Sequence, residues 1–178
     1  MGIWIGASLF MAAAAVFSFR LVNELILNPA PEMAPYFKLL SAEKLRMIAR
    51  YQAAEFNRSL FEGWGLVQIL LGLLIFGILL FGSKEGKLTL SISLFMVLLC
   101  TVMHLGVTPS IVGYGRTLDF VGPDKEPQLR SRVQAFHNAY SGLEGLKLLS
   151  AVVFLELMYK DGKRRINRDD RFDDREAA

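Results

Sequence analysis

The chain has 178 residues, 53% of them hydrophobic, and a mean hydropathy of +0.36, and its apolar residues gather in runs too long for core strands. This pattern excludes an ordinary soluble globule and indicates one small membrane domain. The net charge of +3 is slight and the basic residues flank the apolar runs, so we expect no nucleic-acid partner.

Four apolar stretches predict an all-α fold, an integral membrane four-helix bundle. A membrane helix needs about 20 apolar residues, and the first stretch is uncharged from Ile3 to Phe19. It lacks the basic residues that open a signal peptide, so we interpret it as an uncleaved anchor. The predicted spans of this transmembrane domain, residues 1–159, are about 3–27, 64–81, 88–113 and 133–159.

Polar segments connect the spans. Residues 41–62 place charged and apolar side chains on different helical faces, which predicts an amphipathic helix before span two and continuous with it. A tight polar turn at 83–87 and a loop from Tyr114 to Arg132 join the later spans. We expect the charged tail, residues 160–178, to be disordered or bound to the membrane surface. Its basic residues near the membrane favour a cytoplasmic location for the tail.

Polar residues concentrate at one end of each span, towards the two longer connections, whereas the opposite half of the bundle is almost wholly apolar. An ionisable group at membrane depth is costly without a partner, so such residues are functional candidates by default. Glu144 and Lys147 are three positions apart, which permits a local ion pair on one helix. We therefore predict a polar network open to one membrane face. Its predicted members are Arg20, Asn23, Glu24, Asn138, Ser141, Glu144 and Lys147.

Both histidines, His104 and His137, lie within or at the edge of apolar spans. Two imidazoles from neighbouring helices are a known arrangement for haem ligation, so a b-type haem is one hypothesis. Nearby glycines would let a flat ring approach the backbone. The arginines that could meet its propionates are Arg116, Arg130 and Arg132.

A soft-metal site is a second hypothesis, because sulfur and imidazole ligands suit copper(I). Its candidate ligands are Cys100, Met103, His104 and His137. The single cysteine excludes an internal disulfide and any CxxC motif, and packing as a small hydrophobic residue is the alternative for it.

An ion-coupled or proton-coupled small transporter is a third hypothesis. It would use the ionisable residues that lie within the spans. The absence of an internal repeat or a pair of broken helices in the sequence argues against it. The residues concerned are Arg20, His137, Glu144 and Lys147.

One stretch carries a family resemblance. Val107-Thr108-Pro109 lies near the end of span three, and Phe136-His137-Asn138-Ala139-Tyr140-Ser141 lies near the start of span four. This pattern resembles an uncharacterised four-span membrane family, distantly like copper-resistance D membrane proteins, whose fourth span opens with an aromatic residue, His-Gly and a serine. Here Asn138 replaces the glycine, and Ser141 comes one residue late. The resemblance implies four spans and no assigned reaction. It singles out Pro109 and His137, with Met103 and His104 as candidate metal ligands.

The most consistent interpretation is an accessory or scaffold subunit of a larger membrane complex, with no catalysis of its own. Short connections, an apolar exterior and the lack of a nucleotide, phosphate or Ser-His-Asp motif favour it over an enzyme. The expected partners are membrane lipids and either other membrane proteins or further copies of this chain. A bundle that binds haem or copper at His104 and His137 is the alternative.

Overall fold

The computed structural model describes residues 1–39, 41–82, 86–122 and 125–176, with side chains through residue 163. Regular structure within these ranges is entirely helical. Most of the predicted turn at 83–87 and the last two residues of the predicted tail lie outside the described residues. The helices are α1 (Gly2–Leu27), α2 (Ala34–Phe37), α3 (Ala42–Gly82), α4 (Lys87–Val102), α5 (Thr108–Leu118) and α6 (Pro127–Glu176), with a π-helical turn at Met103–Val107.

Three helical segments are long and apolar enough to cross a membrane: Gly2–Leu27, Ala42–Gly82 and Lys87–Leu118. Large apolar side chains also cover the outside of the bundle. A surface of this kind is stable when lipid or another protein covers it. The prediction of an all-α, membrane-embedded protein is therefore confirmed. The predicted fourth span lies in α6, and α6 is not one of these three segments.

The amphipathic segment and span two form one continuous helix, α3, as the sequence predicts. Its 41 residues extend over about 62 Å at about 1.5 Å per residue. The hydrocarbon core of a bilayer is only about 30 Å thick. The first half of α3 therefore extends beyond it on the side of the longer connections. This half carries Glu43, Lys44, Arg46, Arg50, Glu55, Arg58 and Glu62.

The predicted span three is divided by a π-helical turn. Pro109 has no backbone N–H and its ring clashes with the carbonyl four residues earlier, so a regular α-helix cannot continue through it. The N–H of Thr108 donates instead to the carbonyl of Met103, five residues back, and the helix resumes as α5. Because α5 continues to Leu118 and α6 begins at Pro127, the connection is shorter than the predicted loop from Tyr114 to Arg132.

The predicted fourth span and most of the predicted charged tail form a single helix. α6 runs to Glu176, where the sequence predicts disorder after residue 159. No proline follows Pro127, and the lysines and arginines after residue 159 are good helix formers, which offset the weaker propensities of Gly162 and the aspartates. An ion pair between Glu156 and Lys160, 2.6 Å long, supports its continuation past the predicted boundary.

α1 packs antiparallel against α3. Trp4 lies against Gly72, where an added Cβ would come within 3.2 Å of the indole ring. Further along, the amide of Asn57 donates to the hydroxyl of Ser18 at 2.8 Å. This register places the second half of α1 beside the charged half of α3. The core is shared by α1, α3, α4 and α6. Its buried cluster is Trp4, Met96, Cys100 and Ala151, and the α3 side chains that pack against it include Trp64, Ile69, Leu71 and Ile75.

Candidate functional site

A buried lysine is the centre of the candidate site. The side chain of Lys147 on α6 is 1% exposed. Its Nζ donates to Oε2 of Glu144 at 2.6 Å and to Oε1 of Gln68 on α3 at 2.8 Å. The pairing of Glu144 with Lys147 that their spacing predicts is therefore present, and the contact with α3 adds an acceptor from another helix.

Gln68 connects this ion pair to two further helices. Its Nε2 donates to the hydroxyl of Ser8 on α1 at 3.5 Å, and its Oε1 also accepts a hydrogen bond from the thiol of Cys100 on α4 at 3.6 Å. We call these five side chains the Lys147 network. Its members are Ser8, Gln68, Cys100, Glu144 and Lys147.

The chemistry of the Lys147 network follows from its burial. An unpaired ammonium or carboxylate in an apolar interior costs several kcal/mol, whereas a paired and hydrogen-bonded one is tolerated. Lys147 has an ionic partner and a neutral acceptor, and Glu144, whose side chain is 19% exposed, lies at the edge of the bundle. The arrangement holds the ammonium group of Lys147 in place and joins α1, α3, α4 and α6 through hydrogen bonds.

The two histidines have different environments. His104, in the π-helical turn, packs against α3 so closely that a Cβ on Gly65 would come within 2.6 Å of its Nδ1. That nitrogen is buried and has no hydrogen-bond partner among the described residues. His137 is exposed on α6.

The predicted copper ligands have separate packing roles in the structure. Cys100 belongs to the Lys147 network, and Met103 is buried, at 3% exposure. Across the part of the chain that the structure describes, no group of three or more His, Cys, Asp or Glu side chains is placed to hold a metal ion.

Two of the three arginines proposed to meet propionates have protein partners. Arg116 donates to both carboxylate oxygens of Glu55, at 2.8 and 3.0 Å. Arg130 donates to the carbonyls of Val121 and Gly122, at 2.9 and 2.8 Å, and so closes the turn before α6. Arg132 is exposed.

Arg116 belongs to a second polar cluster, where α3 meets the end of α5. Arg58 forms a bidentate pair with Asp119, with both N–O distances at 2.7 Å, and also contacts Glu55 at 2.9 Å. We call Glu55, Arg58, Arg116 and Asp119 the loop-side ion-pair cluster. Glu55 precedes the apolar part of α3, and hydrogen bonds from Arg116 and Arg58 lower its pKa to about 2.

Most of the predicted polar network does not assemble. Only Glu144 and Lys147 are joined, while Asn138 is exposed and accepts a hydrogen bond from Gln134 at 2.9 Å. Ser141 is exposed on α6. Three further predicted members lie exposed on α1, namely Arg20, Asn23 and Glu24.

Three members of the Lys147 network, Ser8, Gln68 and Cys100, are not among the predicted members of the polar network. Ser8 and Gln68 are single polar residues surrounded by apolar ones in long helices. Such isolated polar side chains in a membrane helix commonly hydrogen-bond to another helix, and this would have been the signal. Their pairing itself needs the register of α1 against α3, which local spacing does not provide.

Comparison with known proteins finds no match to a family model, to a curated protein or to a solved structure. The resemblance to a four-span family related to copper-resistance D proteins therefore stays a prediction.

Proposed function

We propose that this chain is a four-span integral membrane protein that serves as an accessory or scaffold subunit of a larger membrane assembly and catalyses no reaction itself. The observation that carries the proposal is the Lys147 network. Its charged groups are bonded to each other and to Gln68, so the most buried polar side chains serve to hold helices together. Polar groups with this role fit a rigid bundle that presents its outer surface to partners.

The course of α6 supports its role as the fourth span. Tyr140 stacks edge-on against Phe61 of α3, with ring centroids 5.6 Å apart. At the other end, a Cβ on Gly86, just before α4, would lie 3.8 Å from the carboxylate of Asp161. α6 therefore reaches α3 near its own start and the beginning of α4 near residue 161. Glu144 and Lys147 lower its hydropathy, and the ion pair between them offsets the cost of placing both within the membrane.

The position of the basic residues favours a cytoplasmic C-terminal side. Lys160 and Lys163 follow the apolar part of α6 directly, and Lys87 begins α4 on the same side of the bundle. Basic residues close to the ends of spans are enriched on the cytoplasmic side of membrane proteins. A reporter fused to the C-terminus, active only in the cytoplasm, tests this orientation.

The test of the scaffold role is purification from native membranes in a mild detergent. The expected result is a complex of larger mass that contains another membrane protein in fixed stoichiometry, measured by native mass spectrometry. The matched control is the same protein after transfer to a harsher detergent, which should release the partner and leave the folded chain. Recovery of the chain free of any other protein under mild conditions would overturn the proposal.

One observation favours a second candidate, a bundle that binds haem or copper. The Nδ1 atom of His104 is buried and lacks a hydrogen-bond partner among the described residues. Absorption spectra and metal analysis of the purified protein decide this. A Soret band or bound copper that is lost in both His104→Ala and His137→Ala would support this candidate over the scaffold. A colourless, metal-free protein would remove it.

A further inference from the structure

The connection between α1 and α3 forms an open apolar pocket at the end of the molecule. α1 ends at Leu27, the short helix α2 follows, and α3 begins at Ala42. The pocket between these three helices has a volume of about 330 Å³, enough for one or two apolar side chains. We call it the tip pocket. Its lining includes Ile26, Leu27, Phe37, Lys38 and Leu45.

The walls of the tip pocket are held in place. Pro29 and Pro35 lie in this connection, and each proline ring fixes its own backbone φ angle. The N–H groups of Met33 and Ala34 both donate to the carbonyl of Ala30, at 2.8 and 3.1 Å, and so close the turn before α2. Binding to a surface that is already ordered costs little conformational entropy.

The tip pocket lies too far from the bilayer for lipid to cover it. The exposed ion pair between Arg116 and Glu55 marks a level outside the hydrocarbon core, because Arg116 is 56% exposed. α3 is one continuous helix, so Leu45 lies about 15 Å beyond Glu55 along its axis. The headgroup layer on each side of a bilayer is only about 5–8 Å thick. The tip pocket therefore opens into water.

Exposed apolar side chains surround the tip pocket. Met33, Tyr36 and Leu39 are 47%, 64% and 82% exposed. A contiguous apolar surface in water is typical of a protein contact site. A small molecule is an unsuitable occupant, because a ligand site normally encloses about 70–90% of its ligand and this pocket is wide open. A protein segment can instead insert a side chain and cover the surroundings.

The charge at the tip pocket indicates the chemistry of that segment. Lys38 lines the pocket and is exposed, and it forms no ion pair within the part of the chain that the structure describes. A carboxylate beside the inserted apolar side chain would pair with its ammonium group. Opposite charges at the edge of an apolar contact give such an interface its specificity.

We propose that the tip pocket is the docking site for a segment of a partner subunit that lies outside the membrane. The segment inserts an apolar side chain and places a carboxylate beside Lys38. This deepens the proposed function, on which it rests, by naming the surface that holds the partner and the chemistry of the partner.

Thiol labelling tests whether a protein covers the tip pocket. Cys100 is buried, so the wild-type protein is the blank. Leu27→Cys places a thiol in the pocket wall, and Ser131→Cys is the matched control, exposed at the start of α6 on the same side of the membrane. For the purified protein at low density in liposomes, we expect both thiols to react with a charged maleimide at similar rates. In native membranes Leu27→Cys should react about tenfold more slowly than the control, because a docked chain excludes water and reagent.

Two results of the labelling would overturn the proposal. Slow reaction of Leu27→Cys in the liposomes would mean that lipid or a second copy of this chain covers the pocket. Equal rates for both variants in native membranes would mean that nothing covers it.

Charge reversal at Lys38 tests the chemistry of the partner. Lys38→Glu would repel the proposed carboxylate, so we expect the fraction of the chain that native mass spectrometry finds in the larger complex to fall about tenfold. The matched control is Lys44→Glu, a change at an exposed lysine that does not line the pocket and should leave the complex intact. Thermal midpoints show whether both variants are folded. An effect at Lys38 no larger than at Lys44 would overturn the proposal.

The outcomes separate this inference from the proposed function. A stoichiometric complex that survives Lys38→Glu and leaves Leu27→Cys reactive would uphold the scaffold role and overturn the tip pocket as its docking site. A wild-type chain that carries no other protein in mild detergent, with Leu27→Cys still protected in native membranes, would overturn the scaffold role and uphold the tip pocket.

Discussion

The ammonium nitrogen of Lys147 lies 2.8 Å from the side-chain oxygen of Gln68, 79 positions earlier in the chain. This hydrogen bond joins α6 to α3, and the side chain of Lys147 is 1% exposed there. Because the same ammonium also neutralises Glu144, removal of the lysine would leave that carboxylate without its cation and would leave the oxygen of Gln68 with only the weak thiol donor of Cys100. The stability of the bundle should therefore depend on Lys147 far more than on an exposed lysine.

Lys147→Met keeps the length and apolar stem of the side chain but leaves the carboxylate of Glu144 without its cation. We expect the free energy of unfolding to fall by about 3 kcal/mol, as for a buried pair that loses one member. Denaturation in mixed detergent micelles, followed by circular dichroism, measures the loss.

The matched control for that variant is Lys160→Met on the same helix. Lys160 pairs with Glu156 at the same distance, 2.6 Å, but both side chains are more than half exposed, so the loss should stay below about 0.5 kcal/mol. The double variant Glu144→Gln with Lys147→Met removes both charges and should recover part of the stability. If both lysine variants lost the same free energy of unfolding, the buried ion pair would stabilise the protein no more than the exposed one.

Gly65→Ala should destabilise the protein although alanine is the better helix former. The new Cβ would come within 2.6 Å of Nδ1 of His104, so the imidazole or its helix must move, at a cost of about 1–3 kcal/mol. Gly63→Ala on the same helix has open space around its Cβ and should gain up to about 1 kcal/mol. Thermal midpoints in detergent measure both. If the close packing is the cause, adding His104→Ala to Gly65→Ala should restore stability, and a failure to do so would contradict this explanation.

Sequence reasoning succeeds where the physics is local. Runs of apolar residues predict three of the helices that are long and apolar enough to cross a membrane, because this property depends on composition and length alone. The pairing of Glu144 with Lys147 follows from a spacing of three on one helix. The continuity of α3 follows from helical periodicity without a proline or a turn signal before Gly82.

The rest depends on how helices lie against each other. Arg20 and Glu24 fall at the polar end of span one in sequence, yet the register of α1 on α3 leaves both exposed. Arg116 is paired with Glu55, 61 positions away. No spacing rule extends beyond about one turn of a helix, so such contacts require the tertiary structure.

Asp119→Asn should weaken the junction between α3 and α5. The carboxylate accepts two hydrogen bonds from Arg58, both 2.7 Å long, and both side chains are about 90% buried. An amide cannot accept both bonds or balance the charge, so we expect a loss of about 2 kcal/mol in the free energy of unfolding. The control is Glu32→Gln, a change at an exposed carboxylate. A loss in Asp119→Asn no larger than in this control would mean that the pair does not stabilise the junction.

Acidification should destabilise the protein through Glu55. In the folded chain its pKa is lowered from 4.5 to about 2 by hydrogen bonds from Arg116 and Arg58, whereas in the unfolded chain it returns to about its usual value. The stabilisation from Glu55 is therefore complete above about pH 4.5 and is lost as the pH falls from there towards 2. Thermal midpoints measured between pH 6 and pH 3 should decline in the wild type. The decline should be shallower in Glu55→Gln, which is already less stable at pH 6, and parallel curves for the two proteins would show that Glu55 is not responsible.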